Sequence, residues 1–297
     1  MNTHRTPDDR FANLADYPYT ANYRTVGDGL RLHYVDEGPS DATPVLMIHG
    51  EPTWSYLYRQ MIGPVADAGY RVLAPDLIGF GKSDKPTDRD AFSYAGHVAW
   101  MREWFEALDL AGVVLVCQDW GSLIGLRLVA AMPERFAAVV LGNGGLPAGQ
   151  EPPEAFAKWR EFSQKSPIFP IGQLIQGGTT TTLPDAVVAA YDAPFDVEDS
   201  KAAARVFPAL VPLGENVAVS DQIAAWDVLA AFDKPFTCCF SDEDAITKGG
   251  ERAFMERVPG AKGHDLHRTL KGGHFIQEDD PQGFVSAVLD TARYAGV

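Results

Sequence analysis

The stretch Val113-Val114-Leu115-Val116-Cys117-Gln118-Asp119-Trp120-Gly121-Ser122 decides the fold. Its apolar first half, with no polar alternation, reads as a strand buried on both faces, as in the interior of a parallel sheet. From Gly121 to Met132 the pattern is helical, and Pro133 stops it. A buried strand therefore runs through a sharp turn straight into a helix, with Asp119 at the apex. Two readings of that aspartate compete: a helix N-cap, or a nucleophile held out from the carboxyl edge of a sheet.

Outward from this elbow the same alternation continues. Arg31–Val35, Pro44–Ile48, Arg71–Ala74 and Ala137–Leu141 read as strands. Tyr56–Asp67, closed by Gly69, and a segment capped by Ser93 and running to Leu108 read as helices. Strands alternating with helices imply a mostly parallel sheet covered on both faces. Beyond Gly142 the alternation stops. Residues 144–213 carry many prolines, helix-like pieces and the tract Gly177-Gly178-Thr179-Thr180-Thr181-Thr182, with no strand. This segment is expected to be a helical cap inserted into a core domain formed by residues 1–143 and 214–297. The pattern resumes with a strand Pro235–Phe240, a helix Gly250–Val258, a strand Leu266–Leu270 and a helix Pro281–Ala295.

Other turns favour the nucleophile reading. His49-Gly50-Glu51-Pro52-Thr53-Trp54 follows an early buried strand, where a glycine-bearing turn can supply the backbone N–H of Glu51 to an oxyanion hole. The N–H of Trp120, directly after the nucleophile, would supply the second donor. Ala74 to Asp84 is read as a loop supporting the elbow. Lys271-Gly272-Gly273-His274-Phe275 sets a histidine in a flexible turn directly after a late strand, a position unlike that of the other six histidines. His264 and His267 are read as surface or packing residues and His97 as helical. A basic imidazole needs a carboxylate to fix its tautomer. Ser241-Asp242-Glu243-Asp244 offers three, of which Asp244 is preferred, Asp242 is second, and Glu243 is expected to face solvent.

An aspartate nucleophile sets the reaction class. It attacks an sp³ carbon and forms an alkyl–enzyme ester, which a histidine-activated water then hydrolyses. The leaving group is then a halide or the oxygen of an opened epoxide. An epoxide needs proton donors, usually tyrosines, whereas a halide needs N–H donors in an apolar pocket. Between Leu146 and Leu213 stand one tyrosine, Tyr191, and one tryptophan, Trp159. The indoles of Trp120 and Trp159 could form a halide cradle, although Trp159 could equally be an apolar anchor.

With 40 acidic and 25 basic side chains, the net charge of −15 argues against nucleic acid or an anionic membrane as partner. Cys117, Cys238 and Cys239 lie in apolar runs without metal or redox spacing, so neither a metal nor a cofactor is expected. The polar first ten residues contain no secretory h-region, and no apolar run is long enough to span a membrane. The expected location is the cytoplasm.

Taken together, these motifs resemble the haloalkane dehalogenases of the α/β-hydrolase fold. The match is close to their first subfamily, which carries the His49–Trp54 pattern His-Gly-Glu-Pro-Thr-Trp. Gln118-Asp119-Trp120-Gly121, Phe240-Ser241-Asp242-Glu243-Asp244 and Gly273-His274-Phe275-Ile276-Gln277-Glu278 extend the resemblance over most of the chain. It implies Asp119 as nucleophile, His274 as base, Asp244 as acid, and Trp120 with Trp159 as halide donors. In a second subfamily an asparagine at the position of Glu51 donates to the halide. A glutamate anion would repel it, which assigns the second donor role to Trp159. The implied partners are a small apolar halogenated substrate, water and the halide product, with a monomer favoured. An epoxide hydrolase with the same triad and a non-catalytic binding protein of the same fold are the alternatives.

Overall fold

The computed structural model of the protein describes residues 2–297. The first half of the chain runs β1 (Thr3–His4), β2 (Asn22–Val26), β3 (Leu30–Glu37), β4 (Pro44–Ile48), α1 (Arg59–Asp67), β5 (Arg71–Pro75), β6 (Lys85–Pro86) and α2 (Tyr94–Ala107). It continues through β7 (Val113–Asp119), α3 (Trp120–Ala131) and β8 (Phe136–Gly144). Four helices come next, with no strand among them: α4 (Glu154–Lys165), α5 (Ile171–Gly177), α6 (Asp185–Asp192) and α7 (Ala202–Leu210). The chain closes with α8 (Val219–Leu229), β9 (Phe236–Ser241), α9 (Glu251–Arg257), β10 (Arg268–Leu270), α10 (Ile276–Asp279) and α11 (Pro281–Tyr294).

Eight strands form one sheet in the order β10-β9-β8-β7-β4-β5-β3-β2. Parallel pairing joins β10 through β5, and the antiparallel strands β3 and β2 extend one edge. From β4 the chain moves outward to β5, then crosses back to place β7 on the other side of β4. That reversal opens a crevice at the carboxyl ends of β4 and β7, where ligands bind in open α/β sheets. The continuous apolar run Val113–Cys117 is fully buried because helices cover both of its faces.

Most elements agree with the local sequence signals, and the differences have local causes. Ser93 Oγ accepts from Gly96 N at 3.0 Å and so caps α2. The expected helix Tyr56–Asp67 begins as a 3-10 turn over Ser55–Tyr58 before becoming α1. Asp76 organises the loop that follows β5: it accepts from Ser55 N and Lys82 N, each at 2.7 Å, and meets His33 Nδ1 at 2.7 Å. Burial opposes the charge on Asp76, but His33 and these donors hold its carboxyl well below the usual range. Among the described residues no helix is long and apolar enough to cross a membrane.

The turn at Gly121 depends on a close approach of helix to strand. A Cβ there would collide with the backbone carbonyl of Ile48 in β4. Gly121→Ala should therefore cost about 1–3 kcal/mol in denaturant unfolding, as expected for overpacking. Gly177→Ala, where the added methyl meets nothing, provides the control and should be neutral or stabilising.

Candidate active site

Asp119 ends β7 and precedes α3 with φ 51° and ψ −127°, a conformation that L-residues rarely adopt. Such backbone costs on the order of 1–3 kcal/mol and persists only where the surroundings enforce it. The side chain makes no capping bond to α3, so it does not act as an N-cap. Instead its Oδ1 accepts the backbone N–H of Glu51 at 2.7 Å. Gly50 permits this contact, because a Cβ at that position would strike the Asp119 carboxyl. His49 braces the same turn: Nδ1–H donates to Gly50 O at 2.8 Å, and Nε2 accepts Leu77 N–H at 2.9 Å. Burial pushes the His49 pKa down, consistent with this neutral arrangement. Trp120, as the first residue of α3, has one of the backbone N–H groups that the helix leaves unpaired.

His274 lies in the turn between β10 and α10, with Nε2 3.4 Å from Asp119 Oδ2 and Nδ1 3.0 Å from Asp244 Oδ2. Asp244 is almost wholly buried and also accepts Ile246 N–H at 2.8 Å and the Thr247 hydroxyl. Burial disfavours its charge, but His274 and these donors lower its pKa to about 2. Burial likewise works against the His274 cation, but Asp244 and Asp119 outweigh it and raise the imidazole to about 10. Asp242 turns the other way and accepts Gly272 N–H at 3.1 Å, while Glu243 is exposed.

Several supports of this histidine carried no clear sequence signal. Asn143 donates from Nδ2 to Ser241 Oγ, Gly273 O and His274 O, at 2.7, 2.9 and 3.0 Å. Its position between two glycines at the end of a buried strand is the one local hint. Gly178 O accepts His274 N–H at 2.7 Å, which ties the segment after α5 to the histidine turn. Gln118 Nε2 stands 3.0 Å from His274 Nε2, an orientation that suits donation to the imidazole when it is neutral, while its Oε1 is buried without a partner. Reversing the amide would offer Oε1 to the imidazolium instead, so this glutamine can serve either charge state.

A cavity of about 710 Å³ opens at Asp119 and His274 and extends between the sheet edge and the helices of residues 144–213. Trp120 and Trp159 both line it. Trp120 is nearly buried, packed 4.2 Å from Phe207 between ring centroids, and Trp159 stacks with Phe162 and Phe169. Trp54 and Trp226, by contrast, donate their indole N–H groups to Ala190 O and Leu146 O. Tyr191 does not line the cavity. Its hydroxyl donates to Glu278, which forms a buried ion pair with Arg59 through Nη1 at 2.5 Å and Nη2 at 2.8 Å.

Glu51 departs from the expectation of an anion. Its side chain is buried in the cavity wall, and burial, followed by the proximity of Asp119, pushes its carboxyl well above the usual range. The enclosed setting disfavours the charged carboxylate on which repulsion of a halide would depend. Among the described residues no cluster of side chains suited to a metal ion occurs.

A strained acid at the sheet's switch point, backed by a histidine and a second carboxylate, defines an α/β hydrolase. The profile described as alpha/beta hydrolase fold matches residues 43–281. A haloalkane dehalogenase of Psychrobacter cryohalolentis is 51% identical over 281 residues, covering 93% of this chain and 93% of the relative. One of Mycobacterium marinum is 49% identical, covering 94% of this chain and 96% of the relative. The tetrameric haloalkane dehalogenase DpaA from Paraglaciecola agarilytica NO2 superposes with a TM-score of 0.89 at 34% identity, covering 98% of this chain and 97% of that one. The chain belongs to the haloalkane dehalogenase family.

The charge arrangement has a direct spectroscopic consequence. Asp119→Asn and Asp244→Asn each remove an anion that stabilises the His274 cation. In an NMR titration the imidazole pKa should therefore fall from about 10 toward the ordinary 6.5 in both variants. An unmoved titration in Asp119→Asn would mean that Asp119 and His274 are not electrostatically coupled.

Proposed function

We propose that the protein hydrolyses carbon–halogen bonds of haloalkanes to an alcohol, a halide and a proton. The observation that carries this reading is a carboxylate, not a hydroxyl, at the elbow, facing an apolar cavity with a histidine behind it. Asp119 Oδ1 is held by the Glu51 N–H, which leaves Oδ2 to attack the halogen-bearing carbon. The carbon–oxygen bond forms as the carbon–halogen bond breaks, and the halide leaves with the bonding pair. The indole N–H groups of Trp120 and Trp159 receive it, since both line the cavity and neither carries a positive charge that would hold the ion permanently.

Ester formation converts Asp119 from an anion to a neutral group. His274 then loses one of the two anions that raise its pKa, so the imidazolium gives up its Nε2 proton to solvent and stands as a neutral imidazole able to act as a base. It takes a proton from water, which attacks the ester carbonyl. The Glu51 and Trp120 N–H groups stabilise the oxyanion, and its collapse releases the alcohol and restores Asp119. Asp244 keeps the imidazole's Nδ1 proton in place and balances the cation.

The cap reading is that residues 144–213 close over a core of residues 1–143 and 214–297. It is supported by the cavity between them and by the succession of α4 to α7 between β8 and α8. The three cysteines are buried and free, which fits the reducing cytoplasm where we place the enzyme. The epoxide alternative loses support because the cap's one tyrosine, Tyr191, is committed to Glu278 and lies outside the cavity wall.

The test is halide release from brominated and chlorinated alkanes, run beside opening of alkyl epoxides. Halide production with no diol is expected, and diol formation without halide release would favour the epoxide reading. In the same assay Trp159→Phe keeps most of the ring but removes the N–H. Losing one such donor should slow turnover about 10²–10³-fold, or about 2.7–4 kcal/mol. Chlorinated substrates should suffer more than brominated ones, because chloride is the poorer leaving group. Unchanged chloride turnover would leave Trp159 as a packing residue.

A further inference from the structure

The Glu51 side chain performs no task in the mechanism above, although its backbone does. Only 5% of the residue is exposed, and Oε1 is enclosed without any hydrogen-bond partner. The residue lines the same cavity as Asp119, Trp120 and Trp159. Its backbone N–H contact to Asp119 holds it beside the nucleophile. The groups that face its carboxyl are Asp119, His274 and the indole of Trp159. A carboxylate in that place would stand beside a second carboxylate in a mostly apolar enclosure, an arrangement in which one of two acids keeps its proton.

We propose that Glu51 works as a neutral carboxylic acid whose O–H donates to the departing halide, as a third donor beside the indoles of Trp120 and Trp159. This inference rests on the dehalogenase reading and adds one group to its leaving-group pocket. The Trp159 indole faces the Glu51 carboxyl, so an ion accepting from that indole must lie next to Glu51. One oxygen of the acid can accept from Trp159 before a halide arrives, and the other carries the proton. When the halide arrives, the O–H can turn to it at no cost in charge separation, whereas an ionised Glu51 would repel it. No proton leaves the acid during the reaction: Glu51 solvates the ion and regains its resting contacts when the ion departs.

Two variants separate the possibilities by halide affinity, read from quenching of tryptophan fluorescence by chloride at neutral pH. Glu51→Gln is neutral and keeps a donor, so its Kd should stay within about threefold of the unmodified protein, the scale of exchanging one hydrogen bond for another. Glu51→Leu removes the donor and should weaken binding by about tenfold. If Glu51 is an anion, both variants remove a repelling charge and should bind chloride at least about tenfold more tightly, which would overturn the proposal. Equal affinity in all three proteins would also overturn it, by reducing Glu51 to packing.

A second measurement does not depend on the variants' binding. The infrared difference spectrum of the unmodified protein with and without bromide should contain a carboxylic-acid C=O band that bromide shifts and Glu51→Gln lacks. Absence of that band, or a band indifferent to bromide, would contradict the proposal. Turnover of 1-bromobutane by the unmodified protein checks the underlying reading separately. A protein that turns it over but lacks the band overturns only the role of Glu51. One that shows the band but no turnover overturns the dehalogenase reading, and with it the departing halide, while leaving Glu51 a neutral donor to bound halide.

Discussion

A carboxylate surrounded by water is a weak nucleophile, and one enclosed without partners would take up a proton instead. Holding Asp119 between those extremes is the constraint to which the rest of the structure answers. One oxygen receives a backbone N–H from Glu51, and the other faces an imidazole that Asp244 helps keep cationic. The cavity beyond is largely apolar, so the exposed edge of the carboxylate meets substrate in an environment where electrostatic effects are little screened. The site's charge is distributed with economy: two anions flank one cation, and the third acid, Glu51, is pushed toward neutrality.

The fold provides this arrangement through its topology. The reversal of strand order at β4 and β7 sets two loop ends side by side, and the tight strand-to-helix turn projects Asp119 between them. The parallel neighbours β9 and β10 deliver Asp244 and His274 to the same edge. Residues after α5 then clasp the histidine turn through Gly178 O, and Tyr191 joins the buried Arg59–Glu278 pair next to it. Removing one partner of a buried ion pair leaves an uncompensated charge, so this cluster constrains the relation between α6 and the histidine turn more firmly than surface contacts could.

The parts of this design written in local chemistry were legible in the sequence. Val113–Asp119 showed itself by unbroken hydrophobicity, Ser93 by its capping position, and Gly121 and Gly272–Gly273 by the turns they permit. Asp244 was separable from Asp242 only as a preference, because the two lie in one loop and their directions depend on the backbone of Gly272 and on Thr247. Strand β2 escaped notice because it is a largely exposed edge strand without a continuous apolar run. Asn143, Gln118 and the Arg59–Glu278–Tyr191 cluster act through partners far away in the chain, so no spacing rule reveals them. The setting of the Glu51 side chain is hidden for the same reason: it is buried beside Asp119, a residue 68 positions away.

The central claim is that the carbon–halogen bond is broken by Asp119 itself, through an ester, with water entering only afterwards. A single turnover in oxygen-18 water, with enzyme in excess over a bromoalkane, tests this directly. Mass spectrometry of the peptide containing Asp119 should show one labelled carboxylate oxygen, while the first alcohol released carries none. Labelled alcohol together with an unlabelled Asp119 would mean that water displaces the halide directly, and would contradict the covalent route.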